Sequence, residues 1–134
     1  MRIVIDTNRI IAALIKDSTS RNILCSPKFS FFAPEFSRSE INKYERVIRN
    51  KTNLAHEEFN HLLSLLFEHI TILPSSTYHL FLKKCTAYIS DVDDVPFLAA
   101  ALAINADGIW TEDKDFDQQN AVRVWKSVDL LDYV

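Results

Sequence analysis

Asp6 closes the apolar run Ile3-Val4-Ile5, and three further acids, Glu40, Asp94 and Asp113, each stand at the edge of a later element. Like charges within ~4–6 Å of one another raise each other's pKa and cost stability, so acidic residues ordinarily spread over solvated faces. Four carboxylates gathered at element ends would need a cation to offset them, and a divalent-metal site is the chemistry this pattern suggests. A zinc site is not expected, because Cys25 and Cys85 belong to no CxxC or Cys/His cluster. Both are expected as small buried thiols in a reducing compartment. Of the four histidines, His56 and His61 are five apart and share no helical face, and with His69 and His79 they read as surface or core residues. The only glycine, Gly108, leaves no room for the Gly-rich phosphate cradles of dinucleotide-binding and P-loop enzymes.

Each acid also has a plain explanation. Asp6 is a good N-cap for the helix behind it. Glu40 would pair with Lys43 at i+3 on a solvated face. Asp94, with Asp91 and Asp93, would favour the positive end of the helix that begins near Val95. Asp113, Asp115 and Asp117 would make an acidic turn.

The elements that must position these residues alternate in type. Arg2 to Ile5 is a β-branched strand feeding a helix through Ile10, Ile11, Ala13 and Leu14. After a polar break at Lys16-Asp17, Ser18 or Ser20 caps a second helix that ends before Pro27, and Phe29 to Ala33 is an aromatic strand. Pro34 suits the first turn of a helix whose Phe36, Ile41, Tyr44, Val47 and Ile48 fall on one side, with Glu40 beside that stripe. A further amphipathic helix after Thr52-Asn53 carries too many leucines for one narrow stripe and is expected to pack on two sides. Thr71 to Leu73 is the third strand, Tyr78 to Ile89 a helix, Asp91 to Asp94 an acidic loop, and Val95 to Asn105 a helix. Asp107 to Thr111 and Val122 to Trp125 are the last strands, with Trp110 and Trp125 in the core. Such alternation predicts an α/β fold with three layers, α/β/α, around a mainly parallel sheet of roughly five strands. Ligands then bind outside the carboxyl ends of the strands, where Asp6 and the segment Thr111 to Asp113 stand.

The chain has 134 residues, 48% of them hydrophobic and 25% charged. That fits one soluble domain over residues 1–134. The apolar stretch Phe97 to Ile104 is far short of the ~18–20 residues that cross a bilayer. Met1-Arg2 leads straight into a strand without a signal-peptide plan, so a cytoplasmic protein with no membrane association is expected. Fifteen Lys+Arg against eighteen Asp+Glu give a net charge of −3, too acidic to hold nucleic acid by bulk charge alone.

The strand ending in Asp6-Thr7-Asn8, the Pro-Glu helix with Glu40, and Asp94-x-Pro-Phe-Leu-Ala-x-Ala followed by Ala-Asp-Gly-Ile-Trp-Thr-x-Asp-Lys-Asp-Phe form an ordered set. In this the chain resembles a PIN domain, the nuclease family that includes the VapC-type toxins of toxin–antitoxin pairs. The resemblance spans nearly the whole chain and is strongest over the first 15 residues and from Asp91 to Phe116. It implies a catalytic and metal-binding centre of Asp6, Glu40, Asp94 and Asp113, with Asp115 as a further acid and Asn8 and Thr111 as polar supports. It implies Mg²⁺ or Mn²⁺ on oxygen ligands, hydrolysis of RNA phosphodiesters, and, for a type II toxin, a homodimer neutralised by a small antitoxin. Arg9 departs from the family pattern, which has an apolar residue there. It reads first as solvent-facing, with a pairing to Asp6 or to substrate phosphate as alternatives. Arg38, Lys43, Arg46 and Arg49 would give the Glu40 helix a basic flank for an RNA backbone, although charge on an exposed helix is more often mere solvation.

Other readings are an RNA-processing PIN nuclease outside any toxin–antitoxin system and an inactive PIN module that binds RNA or protein. An aspartyl-nucleophile phosphatase is disfavoured, because that chemistry commonly places a second Asp where this chain has Asn8.

Overall fold

The computed structural model describes residues 1–15 and 18–134; the break expected at Lys16-Asp17 lies outside them. Strand β1 (Arg2–Ile5) leads into α1 (Thr7–Leu14) and α2 (Ser18–Leu24), and β2 (Ser30–Pro34) into α3 (Phe36–Thr52) and α4 (His56–Phe67). Then come β3 (Ile70–Leu73), α5 (Ser75–Cys85), α6 (Val95–Ala103), β4 (Gly108–Trp110), a 3₁₀ turn (Lys114–Gln118), β5 (Val124–Trp125) and α7 (Ser127–Leu130). All strand pairs are parallel, in the order β3-β2-β1-β4-β5. The chain builds outward from β1 through β2 to β3, then crosses to the other side of β1 for β4. The strand order therefore reverses between β1 and β4, the place where open α/β sheets bind ligands.

Alternation along the strands supplies both faces of the core. Ile3, Ile5, Phe31 and Trp110 face one side and pack with Ile10, Leu14, Ile23, Ile41 and Phe59. Val4 and Ile109 face the other, against α5, α6 and Phe116. Helix α6 is buried nearly all round, from Val95 through Ala101, which its run of small and apolar residues allows. Among the described residues no helix is long and apolar enough to cross a membrane.

Several expectations shift. Pro34 ends β2 opposite Leu73 rather than opening α3; the next amide, that of Glu35, donates to the Leu73 carbonyl, and α3 starts only at Phe36. Helix α5 starts three residues earlier than its apolar pattern suggests, because Glu35 Oε1 accepts the Ser75 amide (2.7 Å) and satisfies that end. It also stops at Cys85, four residues early. The stripe assigned to α3 divides: Ser37, Ile41 and Ile48 are buried, whereas Tyr44 and Val47 face solvent. Helix α4 buries Phe59, Leu63 and Leu66 and leaves Leu65 exposed, so it packs on one broad side. Asn53 ends α3 in the left-handed conformation (φ 57°), which Asn tolerates better than most residues. Cys25 is exposed, not buried, since it follows α2 at the surface; Cys85 is buried as expected. All four histidines are exposed, and His56 Nδ1 lies 2.6 Å from Glu45 Oε2.

Gly108 is needed for close packing, not for an unusual backbone. A Cβ there would press into the Trp125 indole and lie 2.7 Å from the Arg123 carbonyl oxygen. The indole has nowhere to go, because the Arg123 guanidinium covers it at 3.6 Å and Tyr133 packs against it edge-on. Gly108→Ala is therefore expected to destabilise the fold by ~1–3 kcal/mol through overpacking, read as a lower urea midpoint at unchanged slope. A wild-type midpoint would refute the packing account.

Candidate metal centre

Asp6 and Thr111 come one residue after the paired ends Ile5 and Trp110, so the β1–β4 register itself brings them together. The Asp6 amide donates to the Trp110 carbonyl (3.0 Å), and Thr111 Oγ1 donates to Asp6 Oδ2 (2.7 Å). The same hydroxyl accepts the Asp113 amide (3.0 Å), and Asp113 Oδ1 accepts the Asp115 amide (2.9 Å). Asp6 does stand at the N-cap of α1, but its side chain makes no cap bond. Asp113, by contrast, is a true cap for the 3₁₀ turn. Thr111→Val would strip a buried carboxylate of its donor and an amide of its acceptor at nearly constant volume. Its expected cost is ~1–3 kcal/mol, measured by urea unfolding at pH 7; no loss would mean that solvent replaces both bonds.

Glu40 reaches the same edge from α3. Its Oε1 accepts from Thr7 Oγ1 (2.7 Å), and among the described residues no ion pair joins it to Lys43. Since the single Thr7 hydroxyl proton goes to Glu40, the buried Ser37 hydroxyl 3.0 Å away must donate to Thr7. Asp94, the N-cap of α6, makes no cap bond either. It is 8% exposed, and its Oδ2 is buried with no hydrogen-bond partner among the described residues. Ligand atoms of Asp91, Asp94 and Asp115 all lie within 4.8 Å of one another.

The electrostatics record this crowding. Burial, followed by the charges of Asp113, Asp91, Asp6 and Asp115, pushes the Asp94 carboxyl up to about 8. Burial also raises Asp6, with help from Asp113, while the Thr111 bond, the Asn8 backbone and the Arg9 charge act the other way. Glu40 is raised by burial first and then by Asp6, Asp93 and Asp91, against the Thr7 bond. Acids from four separate stretches of chain thus share one electrostatic neighbourhood. An unpartnered buried carboxylate oxygen inside such a cluster suits a hard divalent cation, which binds through oxygen.

The sequence reading placed Asp6, Glu40, Asp94, Asp113 and Asp115 here, and the structure draws all five to this edge. It passed over Asp91, treated as helix-dipole charge although the run Asp91-x-Asp93-Asp94 was a visible signal. It also passed over Thr7 and Ser37, which position Glu40. Asn8 is exposed. Arg9 is half-buried, its Nε without a hydrogen-bond partner among the described residues, and its charge acts on Asp6; it does not simply face solvent. The basic flank divides. Arg38 lies over the Phe67 ring at 4.9 Å, Arg49 pairs with Glu45 at 3.3 Å, Arg46 lines a separate groove with Asn50 and Asn53, and Lys43 sits beside Glu40.

A family model described as PIN domain matches residues 4–130. No curated protein matches the chain.

Proposed function

The chain belongs to the PIN domain family, a nuclease-type fold, and from that premise we propose that it is a metal-dependent endoribonuclease, the toxin of a type II toxin–antitoxin pair. The observation that carries this reading is the buried Asp94 oxygen, without a hydrogen-bond partner among the described residues, within a cluster of acids at the β1–β4 edge. Asp6, Asp94 and Asp113, with Asp91 and Asp115, would hold Mg²⁺ or Mn²⁺, and Glu40 closes the site from α3. The chemistry supplied by the bound ion is activation of water and neutralisation of charge on the phosphate.

The chain's own residues do the rest. Thr111 fixes the Asp6 carboxylate in one orientation, and Thr7, itself held by Ser37, does the same for Glu40. Arg9 beside Asp6 offsets part of the local negative charge. Without a cation the cluster repels a phosphodiester, so metal dependence follows from the same charges that make the site. The substrate is RNA, the functional unit is a cytoplasmic homodimer of single-domain chains, and its partner is an antitoxin that occupies the acidic edge.

Incubation of purified protein with RNA and Mn²⁺, with and without chelator, tests the activity: cleavage that stops with chelator is expected, and intact RNA in both arms would refute it. Growth arrest on expression, relieved by Asp94→Asn, tests the toxin assignment.

A further inference from the structure

The side of α3 that carries Glu40 also carries an aromatic platform. Phe36, Glu40 and Tyr44 follow at four-residue intervals, a row with about one turn (~5.4 Å) between neighbours. Together with Ser39, Lys43 and Asp93 they line a hollow of about 170 Å³. An amphipathic helix would ordinarily turn Tyr44 inward, yet it is 43% exposed, because Ser37, Ile41 and Ile48 supply the buried side. Phe36 is held edge-on by Phe97, ring centroids 6.4 Å apart, so one wall is rigid. Lys43 Nζ stands 5.8 Å from the Tyr44 ring centroid, and among the described residues no ion pair holds it.

We propose that this hollow is a nucleobase subsite taking one unstacked base of single-stranded RNA, next to the phosphate presented to the acids, with Tyr44 as the stacking surface and Lys43 on the flanking phosphate. The proposal rests on the endoribonuclease reading and adds to it the residues that seat a base beside the metal centre. The volume is well below the ~300–1,000 Å³ of sites for larger ligands and suits a flat ring. Glu40 and Asp93 belong both to the hollow and to the charge cluster around Asp6 and Asp91, so a base seated here leaves its own phosphate at the metal centre. A base within a duplex is stacked and paired and cannot enter, whereas a single strand offers its ring faces freely. Lys43 lines the hollow beside Glu40 and Asp93, so among the described residues it is a cation of α3 that adjoins the acids without an ion pair. Ser39 supplies a hydroxyl for a base edge.

Wild type, Tyr44→Phe and Tyr44→Ala are compared on a labelled oligoribonucleotide, single-stranded and annealed to its complement. Cleavage is followed in Mn²⁺, and binding by fluorescence anisotropy in Ca²⁺, which also takes oxygen ligands. Stacking on one aromatic is worth ~5- to 150-fold by alanine substitution. Tyr44→Ala should therefore raise Kd and KM for the single strand by about tenfold, with Tyr44→Phe within twofold of wild type and the duplex cut poorly by all three. Tyr44 is exposed, so a folding defect is not expected; a circular dichroism melt verifies this. If wild type cuts RNA and Tyr44→Ala matches it, or the duplex is cut equally well, the subsite is refuted and the nuclease reading stands. If wild type binds in a Tyr44-dependent way without cutting, the subsite stands and the nuclease reading falls. Neither binding nor cutting refutes both.

Discussion

Asp94→Asn is expected to abolish RNA cleavage and, in the absence of metal, to make the protein more stable. The two effects have one cause. Asp94 is buried, has an oxygen without a hydrogen-bond partner among the described residues, and feels the charge of four other acids. As a metal ligand its loss should cost more than the ~10–100-fold that follows removal of a ligand's supporting partner, so a fall in kcat/KM of about 10²-fold or more is the expected reading. At neutral pH the fold holds the Asp94 carboxyl protonated at a cost in stability that an amide does not carry, so the metal-free melting temperature should rise. Addition of Mn²⁺ should raise Tm in wild type, by the equivalent of ~2.7 kcal/mol at a hundred times Kd, and do much less in the variant. A variant that cuts RNA at the wild-type rate would remove Asp94 from the centre. One that melts lower without metal would show that the carboxylate is structural.

The second large effect is on pH. Asp94 titrates at about 8 in the fold against an ordinary 3.8, and Asp6 and Glu40 are raised as well. A raised acid is neutral in both folded and unfolded chains below its ordinary pKa, so it takes nothing from stability there. Between about 4 and 8 the unfolded chain gives up its proton while the folded chain keeps it, and stability falls as pH rises. Above about 8 the penalty is complete. At ~1.4 kcal/mol per tenfold change in proton affinity, the metal-free protein should lose several kcal/mol from pH 4.5 to 8.5, reversing the usual gain of acidic proteins above acid pH. Saturating Mn²⁺ should flatten the curve, since a bound cation favours the ionised carboxylates. Urea midpoints across that range, with and without Mn²⁺, measure both. Stability that rises steadily with pH in metal-free protein would mean that these acids do not crowd one another in solution.

Much of this was legible from residue type and order. The short β-branched and aromatic runs separated by helical spacings led to the parallel sheet and its two covered faces, because a strand buried on both sides reads as continuous apolar sequence. Asp6, Asp94 and Asp113 were visible as acids at element ends, and the carboxyl edge of the sheet is where such folds place their chemistry. Local chemistry was less informative where distant groups decide the outcome. Pro34 looked like a helix opener but ends a strand, because Leu73, nearly forty residues on, pairs with it.

What the sequence by itself determined, then, is the kind of protein: an α/β nuclease-type domain with a set of oxygen donors in a recognisable order. Tertiary structure alone decided which donors meet. Asp91 joins Asp94 and Asp115 because the loop before α6 meets the turn after β4, and Thr7 on α1, with Ser37 beside it, orients Glu40 where α1 packs on α3. Tyr44 lies open beside the acids because α3 buries only part of its apolar stripe, Ile41 and Ile48 with Ser37, and leaves Tyr44 and Val47 outside. The physical reason is range: periodicity and capping act over a few residues, whereas a helix's buried face and a carboxylate's neighbours are set by contacts between segments that only the packed core brings within reach.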